Sequence, residues 1–477
     1  MSEKSTVSAH ILTLRSSLES SSTLPFTSGI HLVRDEDLGL FYKAGDESNE
    51  ARYIDFNQAT DEQLEQLAKA CERASFGLNQ ENVLDENYRK AGKMDLDKFA
   101  ARFDVSGVLG VVAPYLFEDQ GTGASTLHAE MYKLNVYGPG SFFKAHQDTP
   151  RSSDMVGSLV VVLPTKHTGG ALTLAHDAHT GTFNSSTLLG LHASSAAAPA
   201  PAIAYCAFFS DVVHAVEPVV SGYRVTLTYN LYHAQRPRVV GDGERLVPAP
   251  EQAFETALRA LIADGTFMPE GGLLAFGLSH QYPIPQPPPQ PAKHDPDNDP
   301  DDYRGRMPEW TADKPDSART GAGTHAELVR ILKGNDARIR SAASRVGLAS
   351  FVNLAYDARN LSIYWRTQVI TGKAMDLTSL DEEDSWGFDQ EMFKRGQVVV
   401  PQKVDSNGNV SKVWEEVEDT EDVIWVTKRK LMNKVETHYM AYGNEASVGH
   451  MYGDAALFVR IPAVGEKGRE ALEGSDD

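Results

Sequence analysis

The alternation of apolar and polar positions divides the chain into a short helical part and a long region of strands. Residues 60–75 place apolar side chains at helical spacing behind a capping Thr60 or Asp61, which predicts an amphipathic helix. Residues 94–103 are expected to form a second short helix. From residue 105 onward, short apolar runs alternate with Gly, Pro, Ser and Asp, a pattern typical of a β-sandwich or barrel. The first run, GVLGVVAPYLF, is accordingly predicted as a strand.

The second half of the chain mixes the two patterns around a stretch that cannot form a core. Residues 250–265 are predicted as a helix, and GGLLAFGLSHQYPI as a strand. Residues 283–320 hold ten of the 24 prolines and almost no aliphatic side chains, which predicts a disordered linker. THAELVRILKG is predicted as a helix, and the segments DVIWVTKRK, THYMAYGNE and ALFVRIP near the end are strand-like.

Composition narrows the class of protein further. The net charge of −21 argues against a large nucleic-acid interface, and 41% hydrophobic residues suffice for a large core. Two cysteines favour a reducing compartment over a disulfide framework. No apolar segment of a secretory signal is visible, and no run approaches the roughly 18 apolar residues of a membrane span. We therefore expect an intracellular protein, cytoplasmic or nuclear, with no membrane partner.

Candidate metal chemistry begins at His146 and Asp148, in the segment FFKAHQDTPR. In a strand, residues i and i+2 point to the same face, so this pair would present an imidazole and a carboxylate together. His214 is the best candidate for a third ligand, because the residues between leave room for several strands. Two histidines and one carboxylate on one face of an ion leave positions open, which suits Fe(II) and O₂ chemistry.

A basic residue follows in the alternating segment SGYRVTLTYNLY. Arg224, ten residues after His214, shares one face of this predicted strand with Thr226. On a neighbouring antiparallel strand Arg224 would point into the same interior, where a buried arginine needs a partner. The carboxylate of a cosubstrate would supply that partner, held by the guanidinium fork, with the Thr226 hydroxyl beside it.

Two His-x-Glu pairs offer alternatives to this assignment. His325 and Glu327 lie in a predicted helix, where residues i and i+2 diverge by about 200°, so they cannot share one ion. His128 and Glu130 lie in a plausible strand but lack a downstream Gly-Gly-x-Leu and an upstream Tyr. The pair at His146 and Asp148 is therefore preferred.

These segments together resemble the 2-oxoglutarate/Fe(II) dioxygenases, and within them the prolyl-4-hydroxylase-like group. The family pattern of His-x-Asp, Gly-Gly-x-Leu, distal His and basic residue is matched by His146/Asp148, Gly169–Leu172, His214 and Arg224. The flanking sequence is similar, more weakly, to a fungal-type branch. Arg224 stands where animal collagen-type enzymes have Lys, which argues against a collagen-like substrate.

The resemblance implies a fold and a set of site residues. The expected fold is α+β, mainly β, with a double-stranded β-helix (jelly-roll) core, supporting N-terminal helices and a C-terminal extension. The implied metal ligands are His146, Asp148 and His214, and the implied 2-oxoglutarate contacts are Arg224, Tyr137 and Thr226. Fe(II), 2-oxoglutarate and O₂ are the implied cofactor and cosubstrates, with ascorbate in a supporting role. The implied reaction is hydroxylation with release of succinate and CO₂.

Five regions follow from these patterns. They are an N-terminal helical support region at 1–104, the dioxygenase core at 105–235, a helix-strand extension at 236–282, the Pro/Asp-rich linker at 283–320, and a mixed region at 321–477 packing on the core.

Other functions stay open at the level of sequence. The core could be a catalytically silent scaffold for protein interactions, although a scaffold needs neither the triad nor Arg224. A Zn²⁺ hydrolase would leave Arg224 unexplained. The substrate is left open between a small molecule and a protein, with a prolyl residue as one candidate, and the sequence does not fix the oligomeric state.

Overall fold

A computed structural model describes most of the chain. The described residues are 3–20, 24–44, 50–78, 81–116, 125–152, 154–195, 199–235, 249–282, 284, 325–357, 367–375, 392–405, 410–411, 420–430, 432–442, 446–466 and 469. The linker predicted at 283–320 lies, apart from residue 284, outside them. The chain forms two compact units, Ser22–Pro248 with Lys333–Arg338, and Met1–Ser21 with Ala249–Leu332 and Ile339–Asp477. We call them the central unit and the terminal unit. The five regions expected from sequence remain a prediction.

Helices are few. They are α1 (Glu3–Ser20), α2 (Asp61–Ala70), α3 (Ser106–Leu116), α4 (Ser185–Ala193), α5 (Ala249–Ala263) and α6 (Gly334–Arg345), with 3-10 helices at Asp35–Leu38 and His325–Arg330. Among the described residues, no helix is long and apolar enough to cross a membrane.

The central unit is built mainly of β-strands. They are β1 (Phe26–Leu32), β2 (Gly39–Lys43), β3 (Ala51–Asp55), β4 (Glu72–Arg73), β5 (Phe76–Leu78), β6 (Glu81–Val83), β7 (Arg89–Lys90), β8 (Gly92–Asp95), β9 (Phe99–Ala101), β10 (Ser125–Tyr137), β11 (Phe142–His146), β12 (Met155–Val162), β13 (His167–Gly169), β14 (Leu172–His176), β15 (His179–Phe183), β16 (Ala202–Phe209), β17 (Val213–Val216), β18 (Val219–Gly222) and β19 (Arg224–Gln235).

Two antiparallel sheets of this unit share one core. The larger sheet has the strand order β1-β16-β12-β19-β10-β8-β4, and the smaller has β15-β14-β17-β11-β7. Leu134 and Leu159 of the larger sheet belong to the same buried cluster as Leu172 and Val216 of the smaller sheet. The two layers therefore bury their facing sides against each other, as in a β-sandwich.

The terminal unit contains an eight-stranded sheet. Its strands are β20 (Gly272–Gly277), β21 (Ser350–Asp357), β22 (Gln368–Thr371), β23 (Gln397–Val404), β24 (Val410–Ser411), β25 (Glu421–Trp425), β26 (Lys434–Tyr442) and β27 (Ala446–Ile461). The order is β20-β25-β23-β22-β21-β27-β26, β24 pairs with β23, and β20 also pairs with β27, so the pairing closes on itself. Its core includes Leu273, Val423 and Phe458.

The helix predicted from residue 60 is present, and the one predicted at 94–103 is wrong. In α2, Thr60 and Gln63 form a reciprocal capping box, and Leu64 and Leu67 are buried. Residues 94–103 instead form the end of β8 and β9. Met94 pairs with Leu134 of β10, and only 1% of its surface is exposed, so sheet pairing outweighs the local helical pattern.

The strand predicted for GVLGVVAPYLF is also wrong, because this segment forms α3. Val108, Val112 and Leu116 recur four residues apart and are all buried, so one face of the helix packs into the core. The side chain of Asp104 accepts a hydrogen bond from the Ser106 N–H at 2.9 Å at the start of this helix.

The N-terminal region at 1–104 was expected to be a helical support region. Its described residues form nine strands, β1 to β9, and two α-helices, α1 and α2.

Candidate functional site

A cavity of about 270 Å³ lies in the central unit and is lined by side chains from both sheets. Strands β10, β12 and β19 of the larger sheet supply alternate side chains on one side, such as Asn135, Ser158 and Thr226. Phe143 and His146 on β11 and His214 on β17 of the smaller sheet line the other side. The interior of the sandwich is thus open at the place where the predicted site residues stand.

The three predicted metal ligands meet in this cavity. His146 ends β11 and lies opposite His214 in the antiparallel register of β11 and β17. One ligand atom from each of His146, Asp148 and His214 lies within 4.8 Å of the others. The two imidazole centroids are 4.2 Å apart, and Nε2 of His214 is 3.8 Å from Oδ1 of Asp148. These separations suit three donors around one ion.

Hydrogen bonds orient each of the three ligands. Nδ1–H of His146 donates to the Lys144 carbonyl at 2.8 Å, and Nδ1–H of His214 donates to the Val212 carbonyl at 3.0 Å. In these tautomers the Nε2 atoms keep their lone pairs for a metal. The Ser158 hydroxyl donates to Oδ2 of Asp148 at 2.5 Å, which leaves Oδ1 facing His214.

Packing holds both imidazole rings in position and favours the neutral form of His146. Burial, helped by the neighbouring charge of His214, lowers the pKa of His146 to about 4. The ring of Phe143 stacks on His146 with 3.6 Å between centroids, and Phe208 lies 4.5 Å from His214. An unprotonated His146 held in this way is a ready metal ligand at neutral pH.

Arg224 places a buried positive charge in the same cavity. Only 1% of its surface is exposed, and burial lowers its pKa. No described residue accepts a hydrogen bond from its Nε or Nη2 atoms. Its Cζ atom is 5.6 Å from the ring of Tyr137, its partner across β10 and β19. A buried guanidinium with free donors is a site for an anion, and a carboxylate matches its fork.

Gly170 creates the room that Arg224 uses. Its backbone has φ +67°, and a Cβ there would lie 3.0 Å from Cδ of Arg224 and 2.8 Å from Cγ2 of Val219. An alanine would therefore be strained in the backbone and would crowd the guanidinium stem.

The structure brings all six predicted site residues to one cavity: His146, Asp148, His214, Arg224, Tyr137 and Thr226. The hydroxyl of Thr226 points toward the Asn135 carbonyl at 3.5 Å, while its side chain lines the cavity. The alternative pairs do not form such a site. His128 and Glu130 are exposed on β10, and His325 lies in a 3-10 helix.

Sequence reasoning missed several residues of the cavity. Ser158 orients Asp148 from a neighbouring strand, and Arg89, Lys133 and Arg151 add positive charge. In a strand, every second side chain points to the same face, so Asn135 and Lys133 could have been predicted to share the face of Tyr137 on β10. The remainder depends on cross-strand register, which alternation within one strand does not give.

A sequence model of the 2OG-Fe(II) oxygenase superfamily matches residues 132–232. All six site residues lie within this range, and the cofactors of the superfamily are Fe(II), 2-oxoglutarate and O₂. Residues 132–232 are therefore similar to the 2OG-Fe(II) oxygenases, a superfamily of oxidoreductases. No curated protein sequence matches the chain.

Solved structures show distant likenesses. A Pseudomonas putida prolyl-4-hydroxylase is 17% identical, with 48% of this chain and 99% of that chain covered and a TM-score of 0.27. A Trichoplax adhaerens prolyl hydroxylase, solved with a hypoxia inducible factor peptide, is 13% identical, with 47% and 90% covered and a TM-score of 0.25. A Burkholderia pseudomallei oxidoreductase of the 2OG-Fe(II) oxygenase family is 18% identical, with 23% of this chain and 45% of that chain covered and a TM-score of 0.18. Likenesses this distant carry no assignment for this chain.

Proposed function

We propose that this chain hydroxylates a substrate at the cavity of the central unit, using Fe(II), 2-oxoglutarate and O₂. His146, Asp148 and His214 would hold the metal, and Arg224 would bind the far carboxylate of 2-oxoglutarate. One observation carries the proposal: a buried guanidinium with free donors shares a cavity with two oriented imidazoles and a carboxylate. The donor set and the anion site together fit a metal and a dicarboxylate.

Each side chain has a separate task in this proposal. When bound, Fe(II) would activate O₂, the oxidant, with 2-oxoglutarate as the two-electron reductant, so that one oxygen atom converts a substrate C–H bond to C–OH and the other enters succinate as CO₂ is lost. Ser158 holds Asp148 so that one oxygen stays available, and the two carbonyl acceptors hold the imidazole tautomers. Tyr137 and Thr226 line the wall beside Arg224 and would contact 2-oxoglutarate. The protein's part is thus positioning and exclusion of water.

We also propose that the core of the central unit is a double-stranded β-helix. Support comes from the seven-stranded and five-stranded antiparallel sheets that share a core, with the cavity between their strands. The segments around His146 and His214 resemble the prolyl-4-hydroxylase-like group and a fungal-type branch, so a prolyl residue of a protein is the first substrate to test. Free Cys71 and Cys206 support a reducing compartment such as cytoplasm or nucleus.

Product formation tests the reaction. The full chain is incubated with Fe(II), ascorbate, 2-oxoglutarate and a cell lysate, and succinate and +16 Da products are measured by mass spectrometry. We expect both to form with the wild type and to be lost with His146→Ala. His128→Ala, which removes an exposed histidine of β10, is the matched control and should retain turnover. Turnover that survives His146→Ala would refute the site.

A further inference from the structure

The cavity is basic although the chain as a whole is acidic. Its lining includes Arg89, Lys133, Arg151 and Arg224 but, among the described residues, only one carboxylate, Asp148. The net charge of the chain is −21. Under the proposed function Asp148 serves the metal and Arg224 serves 2-oxoglutarate. Arg89, Lys133 and Arg151, which we call the basic wall, are then left without an assigned anion.

A β-bulge turns part of this wall toward the cavity. The register between β10 and β19 shifts between Met131 and Lys133, so Tyr132 is the extra residue. Two consecutive side chains, Tyr132 and Lys133, therefore both line the cavity, which regular alternation forbids. Bulges of this kind redirect side chains beside functional sites.

Two positively charged side chains lie against the ring of Tyr132. Nζ of Lys133 is 3.9 Å from the centroid of its ring, and Cζ of Arg151 is 4.2 Å from it. Arg151 also donates a hydrogen bond to the Tyr132 hydroxyl. No described carboxylate pairs with Lys133 or Arg151; the nearby Asp95 bonds Lys93 at 2.8 Å. The two positive charges repel each other, and an anion bound between them would offset this repulsion.

Arg89 adds a third charge from β7. It donates to the Ser75 carbonyl at 2.7 Å and to Oδ1 of Asn135 at 2.9 Å, both neutral acceptors. Its Nε has no partner among the described residues, and its Cζ lies 4.4 Å over Phe143, the ring that stacks on His146. The basic wall therefore extends from the metal ligands to the exposed Arg151.

Within the basic wall, Lys133 and Arg151 lie away from the 2-oxoglutarate end of the cavity, whereas Arg89 bonds Asn135, which pairs with Thr226. Tyr137 pairs with Arg224 and Lys133 with Thr228, so about four residues, or roughly 14 Å, of strand separate the two ends. Ser158, which bonds Asp148, pairs with Asn230 of β19, two residues beyond Thr228, so Lys133 lies between the Arg224 end and the position of Ser158 along this strand. An acidic group of a substrate bound near Asp148 would therefore be within reach of Lys133, with Arg151 beside it on the ring of Tyr132.

We propose that the substrate presents a carboxylate to Lys133 and Arg151 beside the carbon that is oxidised. This inference rests on the proposed function and adds the chemical class of its substrate. The carboxylate can come from an acidic peptide side chain or from a small free acid. Exposure of Arg151 favours a peptide that continues into solvent. The acidic total charge disfavours a nucleic acid, which would carry many phosphates toward the protein.

A binding experiment tests the carboxylate requirement. The full chain is loaded with Mn(II) and 2-oxoglutarate without O₂, and anisotropy is measured for labelled decapeptides of alternating Glu and Pro or Gln and Pro. We expect the Glu peptide to bind at least ~10-fold more tightly. Lys133→Gln with Arg151→Gln should remove that preference. Lys69→Gln with Arg73→Gln removes the same charge from exposed sites and should keep it.

Every outcome decides between defined alternatives. Equal or absent binding of the two peptides overturns the inference. An equal loss of the Glu preference in both double variants also overturns it. Oligo-dT is added as a nucleic-acid probe, and binding of oligo-dT that is tighter than binding of the Glu peptide overturns it as well. Displacement of the Glu peptide by N-acetylglutamate amide confirms carboxylate recognition, and a small acid that binds more tightly than the peptide identifies the free-acid source. Titration of 2-oxoglutarate into the same samples separates the two levels: if the wild type does not bind it, the proposed function fails.

Discussion

At the scale of the residue, the strongest feature of the molecule is how its ligands are held. Sequence spacing predicted that His146, Asp148, His214 and Arg224 would lie in one interior, and all four line the same cavity, although Asp148 lies two residues beyond the end of β11. The Ser158 hydroxyl that bonds Asp148 could not be predicted in that way. Its role follows from which strands are neighbours in the larger sheet, and that depends on the whole fold.

Removing the Ser158 hydroxyl should loosen Asp148. We expect Ser158→Ala to weaken Mn(II) binding by about tenfold, since groups that orient metal ligands commonly contribute 10- to 100-fold to affinity. Ser158→Thr keeps a hydroxyl and should retain most of the affinity. Calorimetric titration of Mn(II) into each variant measures the effect, and equal affinity of wild type and Ser158→Ala would show that the hydrogen bond is irrelevant to the metal.

Gly170→Ala should act on Arg224 and leave the metal in place. A Cβ at this position meets Cδ of Arg224 at 3.0 Å in a backbone with φ +67°. We expect 2-oxoglutarate affinity to fall by at least about tenfold while Mn(II) affinity is kept, with a cost in stability of about 1–2 kcal/mol. Gly190→Ala, in the interior of α4 with open space around it, should leave both affinities unchanged. Equal 2-oxoglutarate affinity in both variants would contradict the role given to Gly170.

At the scale of the element, local pattern and tertiary context disagree in two places. The β-branched run of α3 favours a strand by composition, yet burial of Val108, Val112 and Leu116 along one face stabilises a helix. Residues 94–103 carry a helical pattern, yet Met94 pairs with β10. The helix α2 was predictable because its start is set locally, by the reciprocal bonds of Thr60 and Gln63.

The cap of α2 gives a stability prediction. Thr60→Ala leaves the backbone N–H of Gln63 without its hydroxyl acceptor, and we expect the free energy of unfolding to fall by about 1 kcal/mol. Thr60→Ser keeps the acceptor and should lie close to wild type. Urea denaturation followed by circular dichroism measures the difference, and a Thr60→Ala variant as stable as wild type would mean that the cap contributes nothing.

At the scale of the whole molecule, the two compact units differ in how far they can be assigned. The central unit contains the cavity and the family match, and the proposed function is assigned to it. The terminal unit was predicted from sequence only as two helices and several strands. Its closed pairing brings β20 and β27 together across a long stretch of chain, and local patterns do not encode such pairings.

The cysteines of the central unit offer a probe of its unfolding. Cys206 is fully buried and burial raises its pKa, while burial raises the pKa of Cys71 to about 12. At neutral pH both remain thiols, so we expect iodoacetamide to label them only as the unit opens. Mn(II) with 2-oxoglutarate at about 100 times Kd should raise the free energy of unfolding by about 2.7 kcal/mol, and the labelling rate should fall accordingly. Prompt labelling of native Cys206, read by mass spectrometry, would contradict its burial.

The central claim is that Arg224 binds 2-oxoglutarate beside a metal held by His146, Asp148 and His214. Calorimetric titration of 2-oxoglutarate into the Mn(II)-loaded full chain without O₂ tests it most directly. We predict a single binding event per chain that weakens by at least about tenfold in Arg224→Ala, since a bidentate guanidinium–carboxylate pair is lost. A wild type that does not bind 2-oxoglutarate, or an Arg224→Ala variant that binds it equally well, would contradict the account and favour a scaffold.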